Sequence, residues 1–222
     1  MKSKKVQEIR LLPAIESKVK SLFQAEGSGH DWHHIARVRN TALHIGKAEG
    51  GKLYLIELAA LLHDIADHKF HDNDLTVGPR KARELIIENG GSEDLAETVS
   101  HIVAEVSFKG AEVETPVSSL EAAVVQDADR LDAIGAIGIA RAFAYGGHKN
   151  RLLYDPDQDP TKHTAFEDYA KDQGHTINHF YEKLLLLKER MQTNTAKEMA
   201  MSRHRFMEVY LEQFYAEWNG EK

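Results

Sequence analysis

The chain has 222 residues, 42% of them hydrophobic and 28% charged, with a formal net charge of -7 and no cysteine. That composition suits a globular protein of one large or two small domains and excludes disulfides and thiolate metal sites; the acidic balance gives no support for a nucleic-acid polymer as partner. No apolar run approaches the roughly 20 residues of a membrane span, and the polar start MKSKKVQEIR lacks a signal-peptide core, so the expected setting is cytoplasmic with no membrane partner.

The first predicted helix runs from about Val6 to Ala25, with Ile9, Leu12, Ile15, Val19 and Leu22 at helical spacing, and Gly27-Ser28-Gly29 breaks the chain after it. Asp31 is placed as the N-cap of a second helix whose apolar face is Ile35, Val38, Ala42, Ile45 and Gly46. His30, His33 and His34 cluster at its start, and His34 lies on or beside the buried stripe. The third helix, Glu57 to Asp67, is the most apolar, with Leu58, Leu61, Leu62 and Ile65 on one face, and it runs into His63, Asp64 and Asp67. Burying an ionised Asp beside a His is costly unless something compensates. A divalent cation is the simplest compensation, since neutral imidazole and carboxylate are both ordinary ligands. The bland alternative is a capped core helix whose His and Asp hydrogen-bond to neighbours.

A polar stretch from Asp67 to Asp74 reads as a loop, and Thr76-Val77-Gly78-Pro79 reads as a turn. Helices are predicted over Lys81 to Asn89 and from Ser92-Glu93 onward, the latter with Leu95, Val99, Ile102, Val103 and Val106 on its apolar face. Lys109, beside a glycine, is a candidate anion contact. From Ser118 to Ala133 three aspartates, Asp127, Asp129 and Asp132, stand inside an apolar run that continues through Ile134, Ile137, Ile139 and Phe143. Carboxylates at i, i+2 and i+5 do not share one helical face, so at least one is paired or coordinated inside. Periodicity does not choose between Asp127 and Asp129.

Residues 146–164 are polar, turn-rich and without helical or strand period, the pattern of a lid, a binding loop or a disordered segment. Two further helical patterns follow, one on Ile177, Phe180, Leu184, Leu185 and Leu187, the other on Met199, Phe206, Val209, Tyr210 and Phe214. No alternation of period two is long enough for a sheet. The expected fold class is all-α: one domain over residues 1–222, with a core at about 25–145, an irregular insert at about 146–164 and C-terminal helices at 165–220. The last apolar helix could serve a homodimer.

Three segments taken in order, His34-Ile35-Ala36-Arg37-Val38, Leu61-Leu62-His63-Asp64 and Asp127-Ala128-Asp129-Arg130-Leu131-Asp132, resemble the HD-domain metal-dependent phosphohydrolases. That family's pattern is a His ahead of an Arg-Val, a His-Asp pair and a later Asp. The resemblance covers roughly residues 25–145, and the insert and last helices resemble a bacterial subgroup of small HD hydrolases. It implies His34, His63, Asp64 and Asp129 as metal ligands, with Asp129 preferred because the family's last ligand directly precedes a residue-Leu pair; Asp127 then hydrogen-bonds behind the ligands without touching the ion. Family members with two metals add histidines between the His-Asp pair and the last Asp. Here Val106 and Ser107 stand at such places and His101 lies about a turn early, so a single ion is expected.

The resemblance further implies one divalent transition metal, with Mn first and Fe, Co, Ni or Mg as alternatives. Asp64 and Asp67 are the expected catalytic acids, Asp67 in proton transfer. Phosphate charge calls for cations, and Arg37, Lys109, Arg130, Arg141 and Lys149 are the candidates, with His30 and His33 lining the entrance. The implied activity is hydrolysis of a nucleotide, first as a (deoxy)nucleoside triphosphate pyrophosphohydrolase. A nucleoside 5′-monophosphatase, an alarmone hydrolase and a nucleotide-sensing metal-binding module without turnover are the alternatives.

Overall fold

Residues 2–23, 31–66, 74, 76–106, 116–161 and 174–222 are described by the computed structural model, with side chains from residue 10 onward. The expectations for His30, Asp67 and Lys109 lie outside these residues. Two compact units divide the chain, one holding the described residues up to 128 and the other those from 129 on; the division falls within one continuous helix.

The first unit is built around α3 (Leu53–Leu62), because that helix is apolar nearly all round. Ile56 and every residue from Leu58 to Leu62 are buried, and a helix without a polar face has to be covered on several sides. The coverers are α1 (Lys2–Phe23), α2 (Trp32–Glu49) and α5 (Glu93–Val106), while α4 (Val77–Glu88) packs on α5 and α1. The α2 helix starts where expected: the Asp31 carboxylate accepts the backbone N–H of His34 at 2.8 Å. It buries the expected face and stops at Gly50, whose φ of +79 suits a residue without Cβ.

Other expectations shift. In α1 the buried stripe is Leu11, Ile15 and Val19, while Leu22 is 59% exposed; spacing by fours turns the stripe away from Leu22. The predicted turn at residues 76–79 is instead the first turn of α4. Proline is tolerated there, because first-turn N–H groups have no intrahelical acceptor to lose. The helix α3 ends at Leu62, so His63 and Asp64 stand in a turn after the helix rather than within it.

Most of α6 (Leu120–Asp132) belongs to the first unit. Residues Ala122 to Ala128 are all buried, the polar Gln126 included, and the Gln126 side-chain amide donates to the Glu105 carbonyl at 2.8 Å.

The second unit holds the end of α6, then α7 (Gly135–His148), α8 (Thr176–Glu182), a 3₁₀-helix (Leu184–Arg190) and α9 (Asn194–Trp218). The helical pattern over Ile177 to Leu187 is thus two elements, parted at Lys183 with φ -141 and ψ -59. Leu184 and Leu187, three apart, share the buried side, as the three-residue period of a 3₁₀-helix requires. The buried face of α9 is Ala196, Ala200, His204, Met207 and Leu211, whereas Phe206 and Val209 are exposed. Tyr210 and Phe214 enter an aromatic cluster with Phe143, Phe180, Tyr154 and Trp218.

The irregular segment begins after His148, later than expected, and its described part is tied down. The N–H groups of Thr176 and Ile177 donate to the carbonyls of Leu152 and Leu153 at 3.0 and 3.1 Å. His175 accepts the Asn178 N–H on Nδ1 and donates from Nε2 to the Gln158 carbonyl. Among the described residues there is no strand, and no helix is long and apolar enough to cross a membrane.

Candidate metal centre

His34 projects from the first turn of α2, where the Asp31 cap sets its backbone. His63 is the C-cap residue of α3, and its Nδ1 lies 2.8 Å from the Ala60 carbonyl, one turn back. A carbonyl only accepts, so Nδ1 carries the hydrogen and Nε2 of His63 presents a lone pair. Both histidines are buried. Their Nε2 atoms lie 3.3 Å apart, with ring centroids at 5.3 Å. The Oδ2 atom of Asp64 stands 3.3 Å from the His34 Nε2 and 3.5 Å from the His63 Nε2.

These three atoms fit one ion. Donors bound about 2.1 Å from a common centre stand roughly 3.0 to 3.4 Å apart in octahedral or tetrahedral arrangements. A histidine ligand also ordinarily donates its other ring N–H to a carbonyl or carboxylate, which is what His63 does with Ala60. Asp129 joins from α6: one ligand atom each from His34, His63 and Asp129 lie within 4.8 Å of one another. The donor set is nitrogen and oxygen only, suited to Mn, Fe, Co, Ni or Zn and unsuited to soft thiophilic ions.

Asp127, two residues earlier on α6, is wholly buried, while Asp129 is half-buried. The histidines group with the latter. Arg37 is half-buried on α2, three residues on from His34, and His33 is exposed. Three further predicted cations, Arg130, Arg141 and Lys149, are among the described residues. Arg130 is buried and donates to the Arg190 carbonyl. Arg141 donates to Asp132 Oδ2 at 2.6 Å. Lys149 is exposed, with Nζ 5.7 Å over the ring of Tyr145. His101 is a surface residue paired with Glu97 at 3.1 Å. The Ala60 carbonyl was not singled out in the sequence, though its place three residues before a C-terminal His is a readable signal.

A family model described as HD domain matches residues 31–134, the span that carries all four of these side chains. The chain belongs to the HD-domain family and is an HD-superfamily hydrolase. Among its relatives is YpgQ of Bacillus subtilis strain 168, 39% identical over 210 residues, which are 94% of each chain. A crystal structure of an HD-superfamily hydrolase from Bacillus thuringiensis is 43% identical, with a TM-score of 0.74 over 96% of this chain and 98% of that one. The crystal structure of Bacillus subtilis YpgQ in complex with ADP superposes with a TM-score of 0.75 at 36% identity, covering 95% of this chain and 96% of that one.

Proposed function

We propose that the protein is a metal-dependent phosphohydrolase acting on nucleotides, first of all on (deoxy)nucleoside triphosphates with release of pyrophosphate. The observation that carries this reading is the meeting of the His34 and His63 Nε2 atoms at 3.3 Å beside one carboxylate oxygen of Asp64, while a ligand atom of Asp129 lies within 4.8 Å of one on each histidine. The ADP held by YpgQ supports a nucleotide as the substrate class.

In this reading His34, His63, Asp64 and Asp129 would hold one divalent transition metal, Mn first. When bound, such a cation supplies Lewis-acid polarisation of a phosphoryl oxygen and of a water. The chain's own part is mainly positional. The Ala60 carbonyl keeps the proton on His63 Nδ1, so Nε2 stays a donor of electrons. The Asp31 cap holds the start of α2, and with it His34. Arg37, three residues along the same helix, offers a guanidinium to phosphate oxygens. Lys149 and Lys109 are further candidates for the phosphate charge, and His30 and His33 for contact with the substrate. Asp67 is the proton-transfer acid, three residues beyond Asp64.

One preparation tests this. Elemental analysis is paired with a Mn²⁺-supplemented nucleotide panel that reads phosphate and pyrophosphate separately. About one transition metal per chain, lost in His63→Ala, with pyrophosphate from a triphosphate, is the expected result. Metal retained with phosphate from a monophosphate would move the activity to a 5′-monophosphatase. Tight nucleotide binding without any product, unchanged in Asp67→Ala, would make the protein a sensor, and no metal and no product would defeat the proposal.

A further inference from the structure

The turn of α6 that carries Asp129 is the last of the helix, which ends at Asp132. Ala133 and Ile134 close it with N–H donations to the carbonyls of Arg130 and Leu131, both 3.2 Å, three residues back. Carbonyls at a helix C-terminus carry partial negative charge and attract cations. Two arginines from elsewhere in the second unit supply them. Arg203 of α9 donates through Nη1 to the Leu131 carbonyl, two residues past Asp129. Arg141 of α7 donates through Nη1 to Asp132 Oδ2 at 2.6 Å and to the Asp132 carbonyl at 3.4 Å. Desolvation lowers the pKa of Arg203, and the negative charge of the buried Asp132 opposes that effect.

The path of Arg203 to this turn depends on Gly135. Its φ is +75, a conformation that disfavours side chains, and a Cβ built there would stand 3.0 Å from both Cβ and Cγ of Arg203. The aliphatic stem of Arg203 therefore runs across a position that glycine leaves open.

We propose that Arg203 is a positioning residue for the metal centre: its hydrogen bond to Leu131, made possible by Gly135, sets the turn from which Asp129 presents its carboxylate. This rests on the metal-site reading above, and it gives α9, outside the matched span of residues 31–134, a part in the chemistry. A ligand carboxylate displaced by a fraction of an ångström loses affinity, and removal of an outer partner typically lowers metal affinity by about 10- to 100-fold.

The test is a Mn²⁺ titration of the full-length, metal-free protein, with free Mn²⁺ read by electron paramagnetic resonance and each variant's melting curve recorded beside it. Arg203→Met, which keeps the volume and removes the donors, should bind Mn²⁺ about tenfold more weakly. Arg203→Lys should recover most of the loss, since it keeps a cationic donor. Gly135→Ala should reproduce the weakening with Arg203 still present. Leu211→Val, a buried change two turns along α9 from Arg203, should lower the melting temperature and leave Mn²⁺ affinity alone. A folded Arg203→Met with wild-type affinity overturns the inference. If that variant does not fold, wild-type affinity in Gly135→Ala overturns it. Equal losses of affinity in Leu211→Val and Arg203→Met overturn it as well, since the effect would then be one of general stability. Wild-type protein that takes up no Mn²⁺ would defeat the metal reading itself, a failure distinct from wild-type uptake with no effect of Arg203.

Discussion

The Asp31 carboxylate takes the backbone N–H of His34 at 2.8 Å, so the cap that begins α2 also sets the backbone of a candidate metal ligand. Asp31→Ala should therefore cost about 1 kcal/mol of stability, as loss of an N-cap usually does, while Asp31→Asn should cost little because asparagine caps equally well. Urea unfolding of both variants checks this; equal stability of Asp31→Ala and wild type would mean the bond contributes nothing. This residue was legible from sequence, since an Asp followed at once by a helical stripe is a local signal. Asp129 was less so. Asp127 and Asp129 are the same residue type two positions apart in one apolar run, and spacing does not choose between them. The resemblance preferred Asp129, and it is Asp129 that the fold groups with the two histidines.

At the scale of elements, legibility followed how completely a helix is buried. The apolar face of α2 matched its expected residues, because one side packs on the core and the other meets water. In α9 the expected face included Phe206 and Val209, yet both are exposed, and the small Ala196 and Ala200 together with His204 are buried instead. Hydrophobic size and burial part company where small residues let neighbours approach closely. The larger aromatics of this region gather around Phe180, which is wholly buried, stacks 6.0 Å from Tyr210 and tilts against Phe143 at 6.0 Å. Phe180→Ala should cost about 3 to 5 kcal/mol, the usual loss for a buried Phe that leaves a cavity. A denaturant midpoint within error of wild type would show that the cluster is not part of the core.

For the molecule as a whole, stability carries a pH dependence with a definite sign. Desolvation, with smaller effects from the charges of Lys183 and Arg151, pushes the His179 pKa down to about 3 from an ordinary 6.5. Above pH 6.5 the ring is neutral in both folded and unfolded states, and His179 adds no dependence. Below it the unfolded chain takes up a proton that the folded chain refuses, so stability falls with acidification toward pH 3, by up to about 1.4 kcal/mol per pH unit. His179→Gln should remove that slope relative to wild type, read as unfolding midpoints at pH 7, 6 and 5 with chelator present in both. Parallel loss in the two proteins would assign the acid sensitivity to other groups.

Helical period, the Asp31 cap and the apolar character of α3 are properties of residues near one another in the chain, and the order of His34, His63-Asp64 and Asp129 is read directly along it. No local pattern shows that α3 stops at Leu62, that the His34 and His63 nitrogens come within 3.3 Å, or that Arg130 and Arg141 turn to Arg190 and Asp132; these follow from packing. The reason is physical. A buried polar atom takes whichever partner packing brings within hydrogen-bond reach, and from Arg130 to Arg190 that partner lies 60 positions away, beyond any local pattern.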